Sequence, residues 1–303
     1  MSSIAPRVSI IMATYNYSQV LPFSIRSALL QTMGDFELLV VGDGCTDDSA
    51  AVVGAIDDPR VRWIGLANNS GHQSGPNNHG LIEARGEIIA YLGHDDLWFR
   101  DHLASLVDAI DGGADVAWSV ARWVTPDPSD DSLYLLPAYR AGAWIPPSAL
   151  AHRRAVTERI GGWTDYRQLA EDPEVDLLRR ADSAGFEFAF VPQLTLVKFP
   201  ATLRRNVYRD RPNHEQAAWS RRIDEEPDLA SSELMAIAIN RLSARPFYRD
   251  LLAHFWSETR QRLRRRLNPR ARTALAPGAA IDGRKEYKGL QPPKGLNVGG
   301  PDQ

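Results

Sequence analysis

The chain has 303 residues, 44% of them hydrophobic, and a formal net charge of -3. This length can bury a substantial core in one large domain or two smaller ones, and the bulk charge predicts no nucleic-acid partner. The single cysteine, Cys45, excludes an internal disulfide and a cysteine-built metal site, and it fits a reducing cytoplasm. The N-terminal residues have no apolar signal core and no run of about 18 apolar residues occurs, so we expect a cytoplasmic protein.

The first 120 residues alternate short apolar runs with helical patterns. Strands are predicted over 8–12, 36–41, 61–64, 87–92 and 114–120, and helices over 20–31, 49–56, 77–85 and 101–110. This alternation is typical of βαβ units, so we predict an α/β fold with a mostly parallel sheet flanked by helices.

The second half of the chain is less regular. We predict that residues 126–147 form a loop or a short pair of strands. Helices are predicted over 155–160 and from Pro173 onward, and strands are predicted over 186–191 and 194–197. Pro173 suits the first position of a helix, which places Asp172 at or near the N-cap. The chain is mainly helical from about residue 208. We divide it into a catalytic domain (1–200), a helical C-terminal extension (201–267) and a Pro/Gly-rich tail (268–303).

Polar residues follow three of the predicted strands. Tyr15, Asp43 and Asp95 come at or just after the strand ends, and the carboxyl ends of parallel strands lie on the same side of a sheet. Asp95 and Asp96 are adjacent carboxylates that repel each other unless a cation lies nearby, and hard oxygen ligands suit Mg²⁺ or Mn²⁺ bound to phosphates. A plain helix N-cap is the alternative interpretation of this pair.

Several ordered motifs over residues 6–200 resemble the inverting family 2 glycosyltransferases, which have the Rossmann-like GT-A fold. The matching segments are Val8 to Asn16, Gly42 to Asp47, Asn78-His79-Gly80 with Ala84 to Glu87, Gly93-His94-Asp95-Asp96, Gly161-Gly162-Trp163 and Glu171-Asp172. The resemblance implies that a sugar moves, with inversion, from a nucleotide diphosphate sugar to a hydroxyl acceptor, a glycan or glycolipid of the cell surface.

The resemblance also implies residue roles. Asp95 and Asp96 would hold Mn²⁺ or Mg²⁺, and Asp172 would take the proton of the acceptor hydroxyl, with Glu171 as the other candidate base. The nucleotide sugar would contact seven residues: Ala13, Tyr15, Asn16, Asp43, Asn78, His94 and Asp95. Tyr15 would pack on the base and Asp43 would accept a hydrogen bond from it, as expected for uracil, so UDP is favoured, with GDP and dTDP as alternatives.

Two aspartates of the family pattern are replaced in this chain. Gly42 stands at the first position of the Asp-Asp-Gly turn, and Gly93 at the first position of Asp-x-Asp. These replacements weaken the prediction of the base, and His94 becomes a candidate contact for the ribose. Metal binding then depends most on Asp95.

Basic residues suggest further contacts. Arg204 and Arg205 follow a strand, and arginine binds phosphate in a bidentate manner, so one of them is a candidate for the diphosphate or an anionic acceptor. The segment from Arg241 to Arg272 contains ten arginines and two acidic residues, Asp250 and Glu258. Such a basic amphipathic helix predicts either a solvated face, a homo-oligomer contact or peripheral binding at the inner face of a membrane.

Three other functions compete with sugar transfer. The missing aspartates leave open a non-catalytic nucleotide-sugar-binding protein, against which the retained Glu171 and Asp172 argue. A sugar nucleotidyltransferase would bring a Gly-rich triphosphate loop near the first strand, where this chain has Ala13 to Asn16. A dinucleotide oxidoreductase is disfavoured because no Gly-x-Gly-x-x-Gly follows a strand.

Overall fold

The computed structural model describes residues 5–128 and 131–244, with side chains throughout except at 207, 208 and 241–244. Nine strands are described: β1 (Val8–Thr14), β2 (Phe36–Gly42), β3 (Val61–Gly65), β4 (Ile88–Tyr91), β5 (Leu97–Trp98), β6 (Val116–Trp123), β7 (Ser132–Tyr134), β8 (Leu150–Arg153) and β9 (Phe188–Lys198). The helices in the same ranges are α1 (Leu21–Leu29), α2 (Ser49–Gly54), α3 (Ser74–Glu83), α4 (His102–Asp111), α5 (Arg154–Ile160), α6 (Pro173–Ser183), α7 (Val207–Asp210), α8 (His214–Glu225) and α9 (Leu229–Ala244).

The nine strands form one sheet in the order β3-β2-β1-β4-β8-β6-β9-β5, with β7 paired to β6. β1 pairs in parallel with β2 and β4, and β2 pairs in parallel with β3. The central strands are buried on both faces, because helices cover both sides of a parallel sheet. The predicted α/β sheet flanked by helices is confirmed.

β8 changes the direction of the chain in the middle of the sheet. It runs antiparallel to both of its neighbours, β4 and β6, and β9 pairs in parallel with β6. Two antiparallel steps restore the original direction, so β6 and β9 point the same way as β1 to β4. Their carboxyl ends, Trp123 and Lys198, therefore lie at the same edge of the sheet as those of β1, β2 and β4.

The sequence prediction missed β5 and β8 and divided β9 in two. β5 has only two residues, and β8 is short and carries His152 and Arg153, so neither gives an apolar run. β9 is continuous, but its pairing with β6 skips from Val191 to Leu194. The bulge contains Pro192, which has no N–H to donate to the ladder.

Alternate residues of the central strands face two separate cores. Ile10 belongs to a cluster that includes apolar residues of α1 and α4, and Ile11 to a cluster that includes residues of α5 and α6. This two-residue alternation explains why β1 reads as a continuous apolar run. The sheet is thus held between two helical layers.

The helices after β9 pack on the sheet domain. Trp219 and Ile223 of α8 are buried in a third cluster with Phe99 and Phe199, and one compact unit extends to Arg241. Residues 201–241 therefore share a compact unit with the sheet. The predicted Arg-rich segment (260–266) and the 267/268 boundary lie outside the described residues. In the described part of the chain, no helix has both the length and the apolarity that crossing a bilayer requires.

Two buried histidines are held in the neutral form. Burial lowers the pKa of His102 to about 3 and that of His152 to about 4. His102 stacks on Trp98 and contacts Thr195 Oγ1 through Nδ1 at 2.7 Å, while its buried Nε2 has no partner among the described residues. Protonation would therefore place an unpaired charge in the core.

We expect the free energy of unfolding to fall as the pH drops below about 6.5, where these histidines begin to bind protons only in the unfolded chain. Each of the two histidines should lower the free energy of unfolding by about 2 kcal/mol between pH 7 and pH 5, and urea unfolding measures this loss. His102→Gln should flatten this dependence, whereas His79→Gln, at an exposed position on α3, should not. An unchanged slope in His102→Gln would contradict the prediction.

Candidate active site

A cleft of about 610 Å³ lies at the carboxyl edge of the sheet. A second lobe of about 310 Å³ shares Ala13, His94 and part of the loop before α3 with it. We call these the main cleft and the side lobe. The predicted strand ends do meet here: Tyr15 and Asp43 line the side lobe, and Asp95 and Asp96 line the main cleft.

The side lobe combines one aromatic ring with one buried carboxylate. Tyr15 is 46% exposed, whereas Asp43 is 4% exposed and accepts hydrogen bonds from the Ser70 amide (3.0 Å) and hydroxyl (2.9 Å). His94 lies between the lobes and stacks on Tyr17, with ring centroids 4.5 Å apart. An aromatic face beside a hydrogen-bond acceptor suits a nucleobase.

Two asparagines predicted to contact the nucleotide instead hold turns together. The Asn16 side chain accepts from the amides of Thr46 (2.7 Å) and Asp47 (3.1 Å). The Asn78 amide donates to the Trp163 carbonyl and accepts from its N–H, both at 2.8 Å. Neither residue lines the cleft or its side lobe. Their contact with the nucleotide stays a prediction, since their side-chain atoms already hydrogen-bond to groups of the protein.

Asp95 and Asp96 occupy different environments despite their adjacency. Asp95 is partly exposed at the cleft, and burial together with the charge of Asp96 raises its pKa. Asp96 is fully buried, and its carboxylate accepts from the Ser148 hydroxyl (2.5 Å), the Lys198 ammonium (2.9 Å) and the Phe199 amide (3.2 Å). Only Asp95 therefore offers a carboxylate to a ligand.

A divalent metal fits this site best through Asp95, which is the more exposed of the two aspartates. In residues 5–128 and 131–244, no group of three His, Cys, Asp or Glu side chains could hold a metal ion unaided. Mg²⁺ and Mn²⁺ are commonly bound by one carboxylate together with substrate phosphates, an arrangement that Asp95 allows. The metal role of Asp96 stays a prediction, and its oxygens already accept hydrogen bonds from Lys198, Ser148 and a backbone amide.

The two glycines that replace family aspartates are required by neighbouring side chains. A Cβ added at Gly42 would lie 2.2 Å from the Trp63 ring. At Gly93 a Cβ would lie 2.9 Å from Asp96 and 3.3 Å from Asp95, so a third carboxylate there would add repulsion. The missing aspartates thus reflect a different packing of the same edge.

The predicted catalytic pair does not line the cleft. Glu171 and Asp172 are both exposed, Glu171 pairs with Arg179 at 2.9 Å, and neither lines the cavity. Glu174, one turn into α6, does line it. Its Oε1 accepts from the Trp144 indole at 2.8 Å, and its buried Oε2 has no partner among the described residues. Of the three carboxylates, Glu174 is the one that lines the cleft.

Aromatic residues form the wall of the cleft near Glu174. Trp123 and Trp144 line the cavity and pack edge to face with their centroids 5.9 Å apart, and Tyr134 packs against both. The Trp123 indole nitrogen is buried without a partner in the described part of the chain. Flat apolar faces with polar atoms at their edges suit a sugar ring.

Sequence reasoning missed Lys198 and assigned the phosphate contact to an arginine instead. Arg204 is buried, pairs with Glu215 at 2.6 Å and donates to the Val124 carbonyl, and neither it nor the exposed Arg205 lines the cleft. Lys198 does line it. One signal was available: Lys198 is the only lysine in the first 284 residues. Glu174 and Ser148 gave no comparable signal.

A sequence model of the family described as "Glycosyl transferase family 2" matches residues 9–160. An uncharacterized glycosyltransferase of Nostoc sp., alr2836, is 32% identical over 173 residues, which cover 51% of this chain and 53% of that protein. The succinoglycan biosynthesis protein ExoO of Rhizobium meliloti is 40% identical over 113 residues, which cover 37% of this chain and 32% of that protein. The chain thus spans about half or less of the length of these curated relatives.

Two further similarities concern a curated enzyme and a solved structure. The UDP-Glc:alpha-D-GlcNAc-diphosphoundecaprenol beta-1,3-glucosyltransferase WfaP of Escherichia coli is 34% identical over 101 residues, covering 33% of this chain and 39% of that protein. The crystal structure of S. aureus TarS 1-349 in complex with UDP matches with a TM-score of 0.54 and 19% identity, covering 64% of this chain and 60% of that one. This structural likeness establishes a shared fold.

Gly42→Ala should destabilise the protein, because the new Cβ would overlap the Trp63 ring. We expect a loss of about 1–3 kcal/mol in the free energy of unfolding, measured with denaturant. Gly34→Ala is the matched control, since nothing lies within 4 Å of its added Cβ and its φ is not positive. Equal stability of the two variants would contradict this account of the motif.

Proposed function

The chain belongs to glycosyl transferase family 2, and from this premise we propose that it transfers a sugar from a nucleotide diphosphate sugar to a hydroxyl acceptor. One observation carries the proposal. The carboxyl edge of the sheet opens into a cleft with a base-sized lobe lined by Tyr15 and Asp43, which continues to Asp95 and Glu174. Ligands of open α/β sheets bind at this edge.

For the donor we favour a UDP-sugar, with GDP and dTDP as alternatives. Tyr15 would stack on the base, and Asp43 would accept a hydrogen bond from the N–H of the base. This hydrogen bond would replace those that Asp43 accepts from Ser70. The fold is shared with a TarS structure that contains UDP and another that contains UDP-GlcNAc. WfaP, by its name, uses UDP-glucose.

The cofactor in this proposal is Mn²⁺ or Mg²⁺, held by Asp95 and the donor phosphates. Three carboxylates and one ammonium line the main cleft, so a diphosphate entering it meets an excess of negative charge. When bound, a divalent ion offsets this charge and stabilises the diphosphate leaving group as a Lewis acid. Burial and, after it, the charge of Asp96 raise the pKa of Asp95, and a bound cation would offset the second of these two effects.

Glu174 is the proposed general base, replacing Asp172 and Glu171. The acceptor oxygen attacks the anomeric carbon while the bond from that carbon to the diphosphate oxygen breaks, and the hydroxyl proton passes to Glu174 Oε2. The nucleoside diphosphate leaves with the bonding electrons. Attack from the face opposite the leaving group inverts the anomeric configuration, and Oε2 is the Glu174 oxygen that has no hydrogen-bond partner among the described residues.

The acceptor is proposed to be a glycan or glycolipid. The wall formed by Trp123 and Trp144 supports a sugar at the acceptor position. ExoO and WfaP are named for succinoglycan biosynthesis and for a diphosphoundecaprenol-linked acceptor, which fits cell-surface polysaccharide or glycolipid synthesis. Membrane contact and homo-oligomerisation stay predictions, as the basic segment behind them lies outside the described residues.

Nucleotide binding should stabilise the protein only when metal is present. In a thermal-shift panel of UDP, GDP and dTDP, we expect one nucleotide with Mn²⁺ to raise the melting temperature, because a ligand of the native state stabilises it. Asp95→Asn should lose this shift, while Asp108→Asn on the exposed face of α4 should keep it. No shift with any nucleotide would refute the donor site, and a shift equally large in EDTA would refute the metal.

Glu174→Gln should reduce transfer by about 10²- to 10⁴-fold, the usual contribution of a positioned general base. Donor binding in the thermal-shift assay should stay within a few-fold of wild type, because Glu174 contacts the acceptor side. Asp172→Asn is the matched control and should retain activity, since Asp172 lies outside the cleft. Loss of transfer in Asp172→Asn with activity retained in Glu174→Gln would restore the sequence-based assignment.

A further inference from the structure

We propose that Lys198 is a binding residue for the donor diphosphate, held in place by the buried pair of Asp96 and Ser148. The inference rests on the proposed function and adds a second cationic group to the site, alongside the metal at Asp95. It assigns to Asp96 a positioning role and to Lys198 a direct contact with the leaving group.

The position of Lys198 follows from the topology of the sheet. Lys198 is the last residue of β9, which runs parallel to β6 and so in the same direction as β1 to β4. Its ammonium therefore reaches the edge where Asp95 and Asp96 lie, in the turn between β4 and β5, and it lines the same cleft. Ser148 arrives there because it precedes β8, the strand that runs the opposite way.

The contacts of Lys198 leave it able to bind an anion. Its Nζ lies 2.9 Å from Asp96 Oδ2, and its side chain is 19% exposed. An ammonium has three N–H donors, and this bond uses one of them. Among the described residues that line the main cleft, Lys198 is the sole lysine or arginine.

Lys198 is held at this position by its ion pair with Asp96. Asp96 accepts three hydrogen bonds and is fully buried, which fixes the ammonium in one place. A held cation of this kind stabilises charge that develops on a leaving diphosphate.

Gly93 supports the same arrangement. The Ser148 hydroxyl accepts from the Gly93 amide at 3.0 Å and donates to Asp96, and the space beside Gly93 is filled by Asp96 and Ser148 oxygens. The chain thus has a glycine at the first position of the Asp-x-Asp pattern, and the carboxylate that follows the pattern, Asp96, is paired with a lysine. Both features reduce the negative charge that faces the diphosphate.

The test compares a nucleoside diphosphate with its own nucleoside. The ligand is whichever of UDP, GDP or dTDP gives the largest thermal shift. The affinity of the wild-type protein for this diphosphate and for the matching nucleoside is measured at saturating Mn²⁺ by calorimetry or ligand-observed NMR. In Lys198→Gln the diphosphate should bind about 10- to 100-fold more weakly, the usual effect of a lost charged hydrogen bond. Nucleoside affinity should change by less than about twofold, since the side lobe is intact.

Further variants separate binding from folding. Lys198→Gln leaves Asp96 buried without its cation and can destabilise the fold. Asp96→Asn/Lys198→Gln removes both charges and should fold with the same diphosphate-specific loss. Lys198→Arg should keep more diphosphate affinity than Lys198→Gln, and Arg205→Gln, an exposed charge outside the cleft, should bind like wild type.

The outcomes distinguish the two proposals. Unchanged diphosphate affinity in the folded double variant, or equal losses for diphosphate and nucleoside, would overturn the role of Lys198 while leaving the proposed function intact. Failure of wild type to bind any nucleoside diphosphate would overturn the proposed function itself. A loss confined to the diphosphate, in variants that still bind the nucleoside, would support the inference.

Discussion

The buried carboxylate of Asp96 ties together the two halves of the sheet at the edge where the cleft opens. Asp96 follows β4, and its three partners come from the turn before β8 and from the end of β9. Removing one partner of a buried ion pair typically costs about 3–5 kcal/mol, so this contact constrains how the segments meet. Asp95, Lys198 and the entrance to the cleft are positioned around it, and the proposed chemistry depends on that arrangement.

The direction of β8 determines which side chains reach this edge. An antiparallel strand between β4 and β6 allows β6 and β9 to run parallel to the first four strands. Trp123 and Lys198 therefore join residues that follow strands much earlier in the chain. The segments up to Asp95 supply the side lobe and Asp95 itself, while later segments supply Ser148, Glu174 and Lys198. One cleft thus collects side chains that are far apart in sequence.

The replaced aspartates show how one family pattern accommodates different packing. Trp63 fills the volume beside Gly42, and the Asp96–Ser148 contact fills the volume beside Gly93. In each case a side chain from elsewhere occupies the space that an aspartate would need. The site is therefore a rearranged version of the pattern rather than a damaged one, which favours an enzyme over a binding protein without catalytic function.

Sequence alone determined the α/β alternation, the strand ends at Tyr15, Asp43 and Asp95, and the family, because these depend on local periodicity and on motifs contiguous in the chain. It did not show that the side chains of Asn16, Asn78 and Asp96 hydrogen-bond to partners 30 to 103 residues away. It named Asp172 as the base from the family resemblance, and the local sequence does not reveal that Glu174 is the residue of this segment that lines the cleft. Lys198 was found only in three dimensions, since its position depends on a short, polar strand that reverses the chain. Tertiary structure decided which of the available carboxylates and cations meet, because their distances are set by the sheet and not by their spacing in the chain.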